Sequence, residues 1–388
     1  MMTLLPSWMM TTEAIKLLYI SDIHFGLGRM DSREMADNFQ QMVFPYVEQA
    51  DAIFINGDFF DTVVSFDHYL FDPLYETILK LYQLCEHYQI TLRFLQGTWE
   101  HDRNQLKRLN AFYKNNNFEF PFKVIEHIDA EELLFKNRSL RFIYAPDDLP
   151  VKSSDDIIAI MQEKLQSLGW SYVDYACLHG FFDFTFPEGI SQENRIIYHE
   201  HQFPFVKKMI DVGHVHQHRV NGKVISNGSF DRLVFGDEDP KGFLFVEDYE
   251  NFYKAHFIEN TKAALFDTLL IGQERDSQII SDKIHRHLRS RQSERKISLR
   301  FVIEALEQRE MIKAFMLEHY PQINCHFKKI DEKDKQHILL TASDLMIPTK
   351  TRIAPTLKTI GQFVKSYLNE DYHLSLEEID HYLFKDSS

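Results

Sequence analysis

The chain has 388 residues, which at about 150 residues per domain is enough for two or three domains with a buried core and excludes a single small module. Hydrophobic residues make up 44% and charged residues 26%, and Gly (14) and Pro (12) are both scarce, which excludes collagen-like and low-complexity chains. Lys and Arg number 43 against 58 Asp and Glu, a net charge of −15, so a phosphate backbone is repelled unless cations are gathered locally or carried as bound metal.

Met1 to Thr12 has no basic stretch ahead of its scattered apolar residues, so no secretion signal is expected. The first strand-like run, Ile15 to Ile20, ends in Ser21-Asp22-Ile23-His24. Met35, Phe39, Met42, Val43 and Tyr46 then follow a helical period. A second run, Ala52 to Ile55, ends in Asn56-Gly57-Asp58-Phe59-Phe60-Asp61, and Leu74, Ile78, Leu81 and Leu84 mark a second helix. A third run, Leu92 to Leu95, ends in Gly97-Thr98-Trp99-Glu100-His101-Asp102. The same grammar returns at Tyr175 to Leu178 before His179-Gly180, and at Met209 to Val212 before Gly213-His214-Val215-His216. Strand and helix in alternation predict an α/β fold with parallel pairing, and polar residues gathered at strand exits mark where such sheets place their sites.

From about residue 261 the character changes. Lys283, Arg286, Arg289, Arg291, Arg295, Lys296 and Arg300 face only Asp282 and Glu294, a basic strip that reads equally as a DNA-facing surface or a solvated helix face. A strand-like Ile297 to Ile303, a helix-like Gln308 to His319, a strand-like Ile323 to Ile330 and an apolar run His337 to Thr341 predict a small α+β unit. After Pro348 and Pro355 two helices are expected, Thr356 to Leu368 and one starting at the capping box Ser375-Leu376-Glu377-Glu378. The domains expected are an N-terminal extension (1–14), the main α/β domain (15–258), an α+β cap (259–347) and a helical segment (348–388). Cys85, Cys177 and Cys325 are far apart and odd in number, which fits reduced thiols and a cytoplasmic protein. No apolar run is long enough to span a membrane.

The chemistry lies in the strand exits. Asp22 and His24 stand two apart, Asp58 offers two oxygens that can touch two cations, and His179, His214 and His216 add imidazoles. Four imidazoles and two carboxylates suit Mn, Fe or Zn better than Mg or Ca. Six donors exceed one closed zinc and fit two metals sharing Asp58, as used for in-line attack at phosphorus with metals roughly 3.5–4 Å apart.

Asp22-x-His24, Gly57-Asp58-x-x-Asp61, the Gly97…His101-Asp102 element, Leu178-His179-Gly180 and Gly213-His214-x-His216 resemble the five blocks of the calcineurin-like metallophosphoesterases, over residues 15 to 250. Ser226-Asn227-Gly228-Ser229-Phe230 and the run from Phe235 to Phe243 resemble the following block of SbcD-type DNA-repair nucleases and their phage recombination-nuclease relatives. The resemblance implies a two-sheet sandwich flanked by helices, two divalent ions, most simply Mn2+, and DNA as substrate. It assigns Asp22, His24, Asp58 and His216 to one ion, and Asp58, His179, His214 and a further ligand to the other. That ligand is an Asn in the family, which this chain lacks. Glu100 is favoured in its place because its oxygen is anionic, with Thr98 as the alternative. His101 is the candidate donor of a proton to the leaving 3′ oxygen, oriented by Asp61 or Asp102. Trp99, Phe181 and Phe182 stand near enough in sequence to stack on unpaired bases, and His199, His201 and His218 read as surface or groove residues. The terminal helices resemble the segment with which SbcD-type proteins grip an SbcC-type coiled-coil ATPase, and a homodimer is a further expected partner arrangement.

Overall fold

The computed structural model describes residues 13–330 apart from 29, 65–70, 148, 152, 187–194, 238 and 291–296. Arg291, Arg295, the apolar run at 337–341 and the helical segment 348–388 lie outside the described residues.

Strand β1 (Ile15–Ile20), helix α1 (Ser32–Val47), β2 (Ala52–Asn56), α2 (Phe71–Tyr88) and β3 (Thr91–Leu95) follow the expected alternation. The short α3 (Trp99–Asp102), α4 (Gln105–Asn115) and β4 (Phe122–Ile125) come next. β1 to β4 pair in parallel and in order. The second half of the sandwich comprises β5 (Asp129–Phe135), β6 (Arg138–Ala145), α5 (Ser154–Ser167), β7 (Val173–His179), a small ladder of β8 (Phe181–Phe182) with β9 (Ile197–Tyr198), then β10 (Val206–Gly213), β11 (Arg219–Asn221) and β12 (Val224–Ser226). β13 (Gly242–Asp248) and β14 (Tyr253–Glu259) return to the first sheet antiparallel to β1. The two six-stranded sheets run β14-β13-β1-β2-β3-β4 and β11-β12-β10-β7-β6-β5.

The period of two sorts each strand between two cores. Ile15, Leu17 and Tyr19 of β1 face the space between the sheets with Phe54, Phe142, Tyr144 and Tyr175, while Leu18 and Ile20 face α1 and α2. Tyr19, Phe54 and Phe142 stack successively at centroid distances of 4.9 and 4.8 Å. On the outer face of the second sheet, Ile143, Ala176, Leu178 and Ile210 pack with Ile157, Met161 and Leu165 of α5. The result is a two-sheet sandwich flanked by helices, as expected from the sequence. Both sheets direct the C-terminal ends of β1, β2, β3, β6, β7 and β10 towards one edge of the sandwich, because these strands are parallel within each sheet and β2 and β7 bring Asn56 and His179 together.

Two compact units are present, residues up to 268 with 291–299, and residues 269–290 with those from 300 on. The division falls within strands β15 (Leu265–Gly272) and β16 (Ile297–Ile303). With β17 (Asn324–Lys329) these strands form a three-stranded sheet accompanied by α6 (Ser277–Ser290) and α7 (Leu306–His319). The basic strip is therefore not one segment. Lys283, Arg286 and Arg289 lie on α6 across from its buried Ile280, Ile284 and Leu288, with Arg286 and Arg289 exposed. Arg300 lies in β16.

Candidate metal centre

Four of the candidate ligands leave their strands through backbone that L-residues seldom adopt. Asp22, His24, Asp58 and His214 have φ of 51°, 54°, 50° and 91°. Such left-handed residues each store roughly 1–3 kcal/mol of strain and persist where surrounding contacts over-determine them. Here the turns are clamped across strands: Asp22 N–H donates to Gly57 O (3.1 Å), and His24 N–H to Asp58 O (3.0 Å). His214 N–H donates to both carboxylate oxygens of Asp22 (3.0 Å each). Gly97 is required by close approach, since a Cβ there would collide with the amide and carboxylate of Asp58.

Two donor sets converge, Asp22/His24/His216 and Asp58/His179/His214, and a third group joins His24 to Asp61 and His101. Asp22, His24, Asp58 and His179 are at most 2% exposed. His179 Nδ1 lies 2.8 Å from the Asn56 carbonyl and His24 Nδ1 lies 3.2 Å from Asp61 Oδ1. These oxygens only accept, so Nδ1 carries the hydrogen in each ring and Nε2 presents its lone pair to the site. His179 Nε2 faces Asp58 Oδ2 at 3.3 Å and His24 Nε2 faces the same oxygen at 3.9 Å. Both Nε2 atoms are buried without a hydrogen-bond partner. Lone pairs facing a buried carboxylate demand a positive charge between them, a proton or a metal cation. The donor set fits a divalent ion: about 2.1 Å bonds at tetrahedral angles separate two ligands by about 3.4 Å, close to the spacings seen here.

The electrostatics agree with this geometry. Burial would lower His179, but the Asp58 carboxylate outweighs it and raises the imidazole well above its usual range. Burial would likewise lower His24, which its hydrogen bond to Asp61 and the charge of Asp58 raise instead. Burial would raise Asp58, yet His179 and His24 hold it below the usual carboxylate range. Burial, with His24 and Lys241 nearby, pushes His216 down to about 4, and burial and His179 lower His214, so these two imidazoles stay neutral and available as ligands.

Three expectations from the sequence are corrected. Glu100 is exposed on α3 and belongs to none of the converging groups. Thr98 stands at the site instead, its N–H 2.6 Å from Asp58 Oδ1 and its hydroxyl 3.2 Å from Asp58 Oδ2 and 3.3 Å from His214 Nδ1. The reason is helical phase: Thr98 stands at the N-cap position of α3 with its hydroxyl turned to Asp58 rather than to the helix, and Glu100 lies within the helix, exposed to solvent. Asp102 does not orient His101. Its carboxylate, wholly buried, accepts from the backbone amides of Gly97 (2.8 Å), Asp58 (3.1 Å) and Phe60 (3.1 Å), tying the exit of β3 to that of β2. Burial and the charge of Asp58 push it up to about 6. Phe182, with no exposure, is core, while Phe181 packs edge-on against His214 at 4.3 Å and Trp99 is 45% exposed.

Asp61 is the partner of His101, through its carbonyl at 2.8 Å from Nδ1 and its Oδ1 at 3.9 Å. That carbonyl places the hydrogen on Nδ1, so Nε2 is the atom that can take and release a proton. The ring of His101 lies edge-on to His24, 4.7 Å between centroids. Outside the centre, His199 pairs with Asp183 at 2.9 Å, His201 stacks on His199 at 5.4 Å, and His218 stacks on Phe257 at 4.1 Å.

Two residues escaped the sequence reading. Asp147 follows β6 and points its Oδ2 to within 3.7 Å of His214 Nδ1. Its signal in the sequence is an Asp just past an apolar strand, here Arg138–Ala145. Buried Lys241 pairs with Asp237 and donates to the carbonyl of His216, holding that loop from beneath. A cavity of about 280 Å³ opens beside His214, with Thr98, Asp147, Phe181, Arg195 and Tyr198 in its wall.

Among the described residues no helix is long and apolar enough to cross a membrane. No family model and no curated protein matches the sequence. Among solved structures the chain is similar to GAP50, the anchor in the inner membrane complex of Plasmodium, at 14% identity over 65% of this chain and 86% of that one, with a TM-score of 0.37. It is also similar to TT1561 of Thermus thermophilus, at 10% identity over 63% of this chain and all of that one, with a TM-score of 0.36. At such scores these likenesses carry no argument, and the buried Asp and His groups, which can hold metal ions, rest on their own geometry.

Proposed function

We propose that the chain is a metal-dependent phosphodiesterase of the calcineurin-like metallophosphoesterase type, similar to SbcD-type nucleases, cutting DNA in recombination, repair or end processing. The observation that carries this reading is the placement of Asp58, one buried carboxylate facing the orphaned Nε2 atoms of both His179 and His24. In this reading Asp22, His24, Asp58 and His216 hold one divalent ion and Asp58, His179 and His214 the other. Bound Mn2+ would supply Lewis-acid neutralisation of the charge that develops on the phosphoryl oxygens and lower the pKa of water.

The protein's own groups do the rest. His101, fixed by the Asp61 carbonyl and one-third exposed, presents Nε2 to protonate the leaving oxygen. Arg195, its guanidinium 5.2 Å over the ring of Phe181, offers a fixed cation at the mouth of the cavity for a phosphodiester backbone. Lys283, Arg286 and Arg289 on α6 offer cations for phosphate contacts of their own, which a chain of net charge −15 needs. Residues 348–388 are proposed to bind an SbcC-type ATPase.

The test is cleavage of end-labelled duplex and single-stranded DNA with Mn2+, Mg2+ or Zn2+, beside nitrophenyl phosphates. Mn2+-dependent DNA cleavage that vanishes in Asp58→Asn is expected. Turnover of nitrophenyl esters without DNA cleavage would replace this reading with a small-molecule phosphatase, and DNA binding without any cleavage would replace it with a binding subunit.

A further inference from the structure

We infer that Asp147 is a ligand of the second ion, standing where the sequence pointed to Glu100; this rests on the two-ion reading above. Asp147 sits two residues beyond the end of β6, and its N–H donates to Gln96 O (3.4 Å), which brings the exits of β6 and β3 together across the two sheets. Its Oδ2 lies 3.7 Å from His214 Nδ1 and 3.5 Å from the Thr98 hydroxyl.

The Thr98 hydroxyl has a single proton, and Asp58 Oδ2 at 3.2 Å is the nearer acceptor, so Asp147 keeps its lone pairs for another partner. Among the described residues no Lys or Arg pairs with Asp147, and its one ion-pair partner is His214, at 3.7 Å. Successive donors around the site are spaced at 3.3 Å (His179 Nε2 to Asp58 Oδ2), 3.2 Å (Asp58 Oδ2 to Thr98 Oγ1), 3.3 Å (Thr98 Oγ1 to His214 Nδ1) and 3.7 Å (His214 Nδ1 to Asp147 Oδ2). These neighbour-to-neighbour spacings bracket the separation of about 3.4 Å between ligands of one divalent ion; Asp147 stands just outside the trio Asp58, His179 and His214, whose ligand atoms all lie within 4.8 Å of one another, and would join them by a turn of its side chain. The independent sign that a cation belongs here is His179 Nε2, buried, unpartnered and aimed at Asp58 Oδ2, which Thr98 and His214 also approach.

Charge decides between Asp147 and Thr98. Two imidazoles with Asp58 alone supply one negative charge to a doubly charged ion, and that carboxylate is shared with the first ion. Adding Asp147 makes the second set two imidazoles and two carboxylates, a donor balance that suits Mn2+ better than a neutral hydroxyl does. Thr98 then acts on Asp58 as a positioning residue, through its N–H and its hydroxyl.

The test is a calorimetric Mn2+ titration of the full chain, checked by the electron paramagnetic resonance of bound Mn2+, on wild type, Asp147→Ala, Asp147→Glu and Glu100→Gln. Circular dichroism establishes that each variant is folded. Wild type should bind two ions. Asp147→Ala should weaken one of them by at least the roughly 10–100-fold that even outer-shell partners of a metal contribute, Asp147→Glu should restore part of it, and Glu100→Gln should match wild type. Two unchanged affinities in Asp147→Ala, or loss of an ion in Glu100→Gln, would overturn the assignment while leaving the two-ion centre standing. Fewer than two ions in wild type would overturn the centre itself, and the assignment with it.

Discussion

Replacing Asp102 should damage the fold before it damages any chemistry, and by an amount the structure sets. The wholly buried carboxylate accepts from three backbone amides, at 2.8 Å from Gly97 and 3.1 Å from each of Asp58 and Phe60. A buried donor left without a partner costs about 1–3 kcal/mol. Asp102→Asn keeps one acceptor oxygen and sets an N–H2 against at least one amide, so a loss of about 1–3 kcal/mol is expected. Asp102→Ala strands all three donors and should lose at least about 3 kcal/mol, with water admitted to the cavity keeping it towards the lower end. Urea unfolding followed by circular dichroism in metal-free buffer measures this without linkage to a bound ion. Because one of the amides belongs to Asp58, the folded fraction of either variant should also bind Mn2+ more weakly. An Asp102→Ala variant within about 0.5 kcal/mol of wild type, the spread of ordinary surface substitutions, would refute the clamp and return Asp102 to the candidates for orienting His101.

Mn2+ at about a hundred times its dissociation constant should stabilise the wild-type chain by about 2.7 kcal/mol per site, seen as a rise in Tm that Asp58→Asn abolishes; no rise in wild type would argue against a metal centre. Gly97→Ala should lose both stability and Mn2+ binding, because the new Cβ meets the backbone amide of Asp58 as well as its carboxylate; wild-type Tm and affinity in that variant would contradict the close approach. Asp211, wholly buried beside Asn56, has its carboxyl pushed up to about 8 by burial and by Asp22. Against about 3.9 in an unfolded chain, its contribution to stability is intact below about pH 4 and is lost as pH rises through about 8. Asp211→Asn should therefore melt increasingly above wild type as pH rises from 5 to 8, and parallel Tm profiles would exclude that titration.

Much of the candidate centre was legible because strand exits announce themselves. A short continuous apolar run marks where a strand ends, and Asp and His just beyond it need polar partners or a cation when they are buried. β1 spans the predicted Ile15 to Ile20 and β16 the predicted Ile297 to Ile303, while β2, β3, β7 and β10 extend their predicted cores by one to four residues. Asp22, His24, Asp58, His179, His214 and His216 follow directly, and the structure gathers all six. The antiparallel return of β13 and β14 and the hairpin of β5 with β6 are not legible in the same way, since no histidine marks their exits, although Asp147 stands just past β6. Which turn residue points inward was beyond the sequence as well. Thr98, Glu100, Asp102 and Asp147 are all oxygen-bearing residues near strand ends, and composition does not rank them. Their directions depend on the phase of a four-residue helix, on left-handed turns at Asp22, His24 and Asp58, and on hydrogen bonds between residues about forty positions apart. Residue type and local period determined which atoms can bind a cation. Only the docking of one sheet against the other decided which of them meet, because a side chain's direction at a turn is set by backbone torsions that distant partners hold in place.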